Sequence, residues 1–324
     1  MTRAIVLRRP GGPEALTLED HDPGRPGPGQ VRARITAAGV NFHDVYVRSG
    51  LYQTLPLPGV PGIEAAGVVE AAGEGVEGLA PGDRIAWVTR GYGGYAEAAV
   101  IPAALALKLP EGVSDVQAAA LTLKGLTVRM LVKDAWPLEA GQTALVHAGA
   151  GGVGQILVRW AKALGAEVIA TVGSPAKAEV ARACGADHTV LYREEDFVAR
   201  VREITGGRGV DVAYDSVGRD TFEGSIDCLA RLGRLVNFGQ SSGPVAPLEV
   251  SRLFKGSNSL ARPSVFAYLA DPWRAEAMAG DLFAAIQSGV AQTRVERELP
   301  LAEAGEAHRL LESRTLAGAV VLRP

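Results

Sequence analysis

Cysteine is nearly absent: the 324 residues include two, Cys184 and Cys228. Two distant thiols make neither a disulfide framework nor a CxxC metal knuckle, and both stand in apolar stretches that read as helical, where cysteine is a packing residue. An excess of charge of one sign is lacking too. The 33 Lys and Arg against 36 Asp and Glu leave a formal net charge of -3, with arginines and acids interspersed. That excludes the basic footprint of a nucleic-acid binder and offers no electrostatic hold on a membrane. No apolar run approaches the roughly 20 residues of a membrane-spanning helix, and no early segment joins a basic start to an apolar stretch of signal-peptide length. The expectation is a cytoplasmic, soluble protein without nucleic-acid or membrane partners. Repeats and low-complexity tracts are also missing.

What is plentiful is hydrophobic residues, at 47%, and glycine, at 40 residues. A chain of this length fills one large core or two ordinary ones, and two are favoured. Residues 1 to about 120 are rich in Gly, Pro and Val. There "VRARITAAGV", "AAGVVEAAG" and "DRIAWV" read as short strands between turn signals, which makes a mostly β domain. From about Gly141 the texture changes to alternation: "TALVHAG", "AEVIATVG", "HTVLY", "VDVAYDSVG" and "RLVNFG" are apolar strands separated by helices, the mark of a parallel doubly wound sheet. After Gly239 come a strand-like "SNSLARPSVF", a helical stretch near "RAEAMAGDLFAAIQSGV" and a terminal strand "AGAVVLRP". This tail is too short for a third domain and returns to complete the first. The expected fold class is α/β, divided into 1-123 with 268-324 as the β-rich domain and 124-267 as the nucleotide fold.

Gly149, Gly151 and Gly154, with Gly152 and Val153 between them, fit G-x-G-x-x-G. In a chain with 40 glycines the pattern alone is weak, and context raises its value. "ALVHAG" before it is a buried strand, while Val153, Ile156, Leu157, Trp160, Ala161 and Leu164 line one face of a helix after it. Small residues let the backbone approach a pyrophosphate, and free N–H groups at the helix start stabilise its charge. The second apolar strand ends in "VGSPAK". A protein specific for NAD usually carries an acid there for the ribose hydroxyls. Gly173 and the hydroxyl of Ser174 stand in its place, followed by Lys177 in what reads as the first turn of the next helix. A cation without a competing carboxylate suits the 2'-phosphate of NADPH.

The order of a β-rich part, a nucleotide fold and a returning tail resembles the medium-chain dehydrogenase/reductase superfamily. Within it the chain resembles the zinc-free NADPH:quinone oxidoreductases, the zeta-crystallin-like family. The stretches that carry the likeness extend over essentially the whole chain: "GVNFHDVYVRSGLY", "PGIEAAGVVEAAGEGV", "PGDRIAW", "LKGLTV", "HAGAGGVG", "YREED", "YDSVGRDTFEGSIDCLARLG", "NFGQSSG" and "AHRLLESR". The resemblance implies a GroES-like β-rich catalytic domain plus a Rossmann domain. It also implies hydride transfer from NADPH to a quinone, and a homodimer paired through the strand near 257-266. In the zinc alcohol dehydrogenases a cysteine ligand sits where this chain has Asn41, and a Gly-His-Glu motif where it has Gly62, Ile63 and Glu64. Asn41 and Ile63 are not zinc ligands, so no metal is expected. His43 and His147, without thiolate partners, read as packing residues.

By resemblance, Asn41, Tyr46 and Tyr52 line the pocket where quinone meets nicotinamide, and Asn41 also touches the cofactor. Two tyrosines and an amide can supply stacking surface and hydrogen bonds to a planar dicarbonyl ring, and Tyr52 is the candidate proton donor. Thr127 is implied near the nicotinamide, and Tyr192 and Arg314 join Ser174 and Lys177 around the 2'-phosphate. Phe238, Gly239 and Ser242 follow the fifth strand at the carboxyl edge, where such folds bind ligands. Arg262 is left between two roles, cofactor contact or partner-subunit contact. The nearest rival is a zinc-free reductase of the carbon–carbon double bond of an enone, alkenal or enoyl thioester. A rival of another class is a non-catalytic, crystallin-like or nucleic-acid-binding role, against which stand the acidic pI and the retained tyrosines.

Overall fold

The computed structural model describes residues 1-324. They divide into two compact units, Met1–Leu123 with Thr293–Pro324, and Lys124–Gln292.

In the first unit, the strand Gln30–Val40 alternates buried Val31, Ala33 and Ile35 with more exposed Arg32 and Arg34, the two-residue period of a half-buried strand. It lies inside a seven-stranded sheet ordered Val295–Pro300, Ala319–Arg323, Gln30–Val40, Glu64–Ala72, Arg84–Val88, Ala106–Lys108, with Ala98–Pro102 also paired to Gln30–Val40. The tail completes this unit because Val320 and Leu322 enter the sheet antiparallel opposite Val40 and Ala38. Both join a core with Ile5, Val31, Ile85, Trp87 and Tyr95. The helix Phe42–Arg48 leaves the end of Gln30–Val40, and a buried polar chain fixes it to the tail. The Tyr95 hydroxyl donates to Asp44 Oδ2 at 3.1 Å and lies 3.1 Å from His308 Nε2. Arg48 donates to both oxygens of Glu312 at 2.8 Å.

The second unit carries six parallel strands in the order His188–Leu191, Glu167–Val172, Thr143–Val146, Val210–Asp215, Leu229–Asn237, Ser259–Ala261. Numbered along the chain this is 3-2-1-4-5-6, the Rossmann order, whose ligand crevice opens at the carboxyl ends where the order reverses. Ser259–Ala261 pairs on one side only and is an open edge.

The second boundary differs from the sequence expectation: residues 268-292 lie with the nucleotide fold. Its helix Pro272–Gln287 packs the Leu282 side chain closely against Gly125. Asp281 of the same helix pairs with Arg129 and Lys133, each at 2.9 Å. The strand periodicity that marks the fold in the sequence ends before this helix, so the pattern alone stops short. Both cysteines are buried at helix C-termini, and burial pushes the Cys228 thiol up to about 12.

Candidate active site

The glycine turn joins Thr143–Val146 to the helix Gly152–Ala163, with Gly151 as its N-cap. A Cβ on Gly154 would overlap the Ala148 carbonyl oxygen, and one on Gly149 would lie 2.7 Å from Ala170 Cβ on the neighbouring strand. The cradle therefore admits backbone only. The first-turn N–H groups of Gly152, Val153 and Gly154 have no intrahelical acceptor and face the turn with the positive end of the helix dipole. The chemistry of this cradle fits a pyrophosphate. His147, just before it, is a packing residue: Nδ1 lies 2.9 Å from Thr171 Oγ1 and Nε2 2.8 Å from Ser225 Oγ. Burial lowers its pKa.

At the end of the second strand, Ser174 caps the helix Pro175–Ala183, its Oγ accepting the Lys177 N–H at 3.4 Å. Lys177 thus stands at the third helical position. Tyr192 follows the third strand, its N–H donating to Val172 at 3.3 Å. Its hydroxyl lies 3.4 Å from where a Gly173 Cβ would be. The structure adds Arg193, which the sequence reading passed over. Its Nε is 3.5 Å from that same point. Hydroxyls and cations with no acid among them fit a phosphate. Arg314 belongs to the first unit, just past the helix Ala304–Glu312, in a left-handed conformation with φ 55°. Thr127 is half-buried on the helix Asp115–Met130.

At the carboxyl ends of the fourth and fifth strands, buried Asp215 accepts the N–H groups of Val217 and Gly218 and the Thr221 hydroxyl. Asn237 donates to the other oxygen of Asp215 at 3.3 Å. Arg262 donates to Asn237 Oδ1, and to Gln240 Oε1 at 3.1 Å, so its guanidinium braces the loop that carries Phe238 and Gly239. The Phe238 N–H donates to the Asp215 carbonyl at 2.8 Å, and Gly239 packs against Ser216 backbone. Ser242 is buried; its hydroxyl donates to the Val217 carbonyl at 2.8 Å and accepts the Asp220 N–H at 3.0 Å. It shapes this edge by tying two loops together.

In the first unit, Asn41 is the N-cap of Phe42–Arg48 and is buried, as is Glu64. Its Nδ2 donates to Glu64 Oε2 at 2.9 Å, while Glu64 Oε1 accepts the Leu123 N–H at 2.6 Å. Three rings gather beyond it. Tyr52 meets Tyr46 edge-on at 5.1 Å and His43 edge-on at 5.3 Å between centroids. Tyr52 also helps line a cavity of about 310 Å³ with Pro10, Val47, Leu55 and Leu57. His43 Nε2 lies 3.2 Å from the Tyr92 hydroxyl, which also bonds Thr54 Oγ1. Burial first, and Arg90 second, hold the imidazole at about 4, so it is neutral near pH 7. His43 and Tyr92 thus extend the ring cluster, and Thr54 is bonded at its edge, although the three residues lie in separate stretches of the sequence. No three His, Cys, Asp or Glu side chains converge anywhere in the chain.

Comparison with known proteins agrees with this architecture. Residues 27-111 match the alcohol dehydrogenase GroES-like domain, and residues 152-279 match the family described as zinc-binding dehydrogenase. The chain is 44% identical to a quinone oxidoreductase of Pseudomonas aeruginosa, with all of both chains covered. It is 41% identical to a 2-haloacrylate reductase of Burkholderia, covering 100% of this chain and 99% of that one. Among solved structures, the Escherichia coli quinone oxidoreductase complexed with NADPH superposes with a TM-score of 0.96 at 43% identity, covering 99% of this chain and 100% of the other.

Proposed function

The chain belongs to the quinone oxidoreductase family of the medium-chain dehydrogenase/reductases, and from that premise we propose that it reduces a quinone with NADPH. The observation that supports the reading is the Tyr192 hydroxyl beside Gly173, next to the Ser174 cap and with Lys177 in the first turn of its helix, at the strand end where an NAD enzyme would carry an acid. In this reading the Gly149–Gly154 turn receives the pyrophosphate, and Ser174, Lys177 and Tyr192 receive the 2'-phosphate. Thr127, Phe238 and Gly239 border the rest of the cofactor. Arg262 and Ser242 act on the cofactor through the loops they hold.

NADPH supplies a hydride at the nicotinamide ring. The protein's part is to orient two flat rings, exclude water and offer donors to the oxygen that gains charge. Tyr46 and Tyr52 give an aromatic face for the quinone, and the Tyr52 hydroxyl donates to its oxygen. Asn41 presents its amide from a fixed position, because Glu64 holds it.

Zinc does not fit the residues present. Asn41 is already a hydrogen-bond donor to Glu64, and Ile63 stands where the zinc enzymes place a histidine, so the reading routes no step through a metal. Quinones are strong enough acceptors to need none. The open edge Ser259–Ala261, which carries exposed Leu260 and is flanked by exposed Leu232 and Phe254, supports a homodimer formed edge to edge. A monomeric mass at micromolar concentration would contradict it. The acidic pI of about 6.0 and the absence of any helix long and apolar enough to cross a membrane are compatible with a cytoplasmic protein without nucleic-acid partners.

The full-length likeness to a 2-haloacrylate reductase favours one second reading, reduction of an activated carbon–carbon double bond with the same cofactor. Steady-state NADPH and NADH oxidation against 1,4-benzoquinone, a naphthoquinone, 2-chloroacrylate and an alkenal separates the two. Quinone turnover far below that of the alkenal or the acrylate reverses the choice.

A further inference from the structure

We infer that Arg193 is a specificity-determining residue for the cofactor, a second cation besides Lys177 that grips the 2'-phosphate; this rests on the NADPH reading of the Gly173–Lys177 segment.

The argument starts at Gly173. The position its missing Cβ would take is 3.4 Å from the Tyr192 hydroxyl and 3.5 Å from Arg193 Nε, so both side chains fold back from the third strand over the exit of the second. The backbone holds them there: Leu191 pairs with Val172, and the Tyr192 N–H donates to the Val172 carbonyl. The guanidinium carbon of Arg193 lies 6.0 Å from the Tyr192 ring centre, and the ring face limits where the side chain can swing.

Three acids follow Arg193 directly, yet it forms no ion pair. Glu195 accepts the Leu191 N–H at 2.8 Å and pairs with Arg200 at 3.7 Å. Asp196 caps the helix Phe197–Ile204 by accepting the N–H groups of Val198 and Ala199. Those carboxylates serve the fold, and the guanidinium beside Gly173 keeps its charge available. Across Gly173, Ser174 starts the helix that bears Lys177. A phosphate seated over Gly173 would meet the planar fork of Arg193, with Lys177 in the first turn of the helix that starts at Ser174. The fork can bind two oxygens at once, whereas the ammonium acts as a point charge. NADH carries a hydroxyl at that position and leaves Arg193 in water at no cost, so the residue discriminates rather than merely strengthens binding.

Calorimetric titration of the full chain with NADPH, NADH and adenosine 2',5'-bisphosphate tests this without turnover. Arg193→Ala should weaken NADPH and the bisphosphate about tenfold, the scale of one charge-assisted hydrogen bond partly screened by water. NADH binding should change less than about twofold. Arg193→Lys should recover part of the loss, and the melting temperature without ligand should not move, because the side chain is exposed. Wild-type affinity of Arg193→Ala for the bisphosphate, alongside a clear loss in Lys177→Ala, overturns the role of Arg193 alone. If the wild type binds NADH as tightly as NADPH and Lys177→Ala changes neither, the NADPH reading itself fails and the inference falls with it.

Discussion

The Tyr92 hydroxyl joins His43 Nε2, at 3.2 Å, to the hydroxyl of Thr54. Those two partners lie on either side of Tyr52 in the chain, one on the helix Phe42–Arg48 and one on the segment after it. The phenol therefore clamps the segment that sets the Tyr52 ring against Tyr46 and His43. Tyr92→Phe keeps the ring and deletes the clamp, at a cost of about 1 kcal/mol per lost hydrogen bond. The expected outcome is a several-fold rise in the quinone KM with NADPH affinity unchanged, measured by steady-state kinetics beside cofactor titration. Unaltered quinone kinetics would show that Tyr52 needs no such support.

Lys177→Ala should raise the KM for NADPH by about 10- to 100-fold, the range of a charged hydrogen bond to phosphate, and leave that for NADH nearly unchanged. Equal effects on both cofactors would remove the assignment of Lys177 to the 2'-phosphate.

Asn41 and Glu64 are both buried, and the 2.9 Å bond between them links two elements 23 residues apart. Asn41→Ala leaves a buried carboxylate oxygen without this donor. A loss of about 1–3 kcal/mol in stability follows, along with a fall in kcat greater than the change in NADPH affinity. Urea unfolding and single-turnover rates measure the two separately. A variant of wild-type kcat would show that the amide is structural only.

The parts of the site that were legible in the sequence are those written in contiguous residues. The strand, glycine turn and helix around Gly149–Gly154 form one local unit, and the missing acid at "VGSPAK" is a fact about neighbours in the chain. Tyr92 and His43 could not be read that way. They stand 49 residues apart and meet only because the strand pairing of the first unit brings their segments together. Arg193 was hidden for a different reason. Followed by three acids, it reads as an ordinary surface charge, and only the structure shows Glu195 and Asp196 committed elsewhere. The helix Pro272–Gln287 groups with the nucleotide-fold unit through contacts such as those of Asp281 with Arg129 and Lys133, which nothing in its own sequence announces.

The buried histidines predict how the protein responds to acid. Burial lowers His308 to about 3, with Arg48 adding to the effect, and lowers His43 to about 4. An unfolded histidine titrates near 6.5. Between that value and the folded ones the unfolded chain binds protons that the folded chain refuses, so stability rises with pH across this window and drains away as pH falls from about 6.5 toward 3 to 4. Above about 7 these two groups make no pH-dependent contribution. His308 touches the Tyr95 hydroxyl and Arg48, so His308→Gln can keep a polar contact while losing the titration. Urea midpoints taken from pH 7 to pH 4 should show a shallower acid limb in His308→Gln than in the wild type, on the order of a few kcal/mol less loss. Parallel limbs in the two proteins would mean that His308 exchanges protons as freely in the fold as in water.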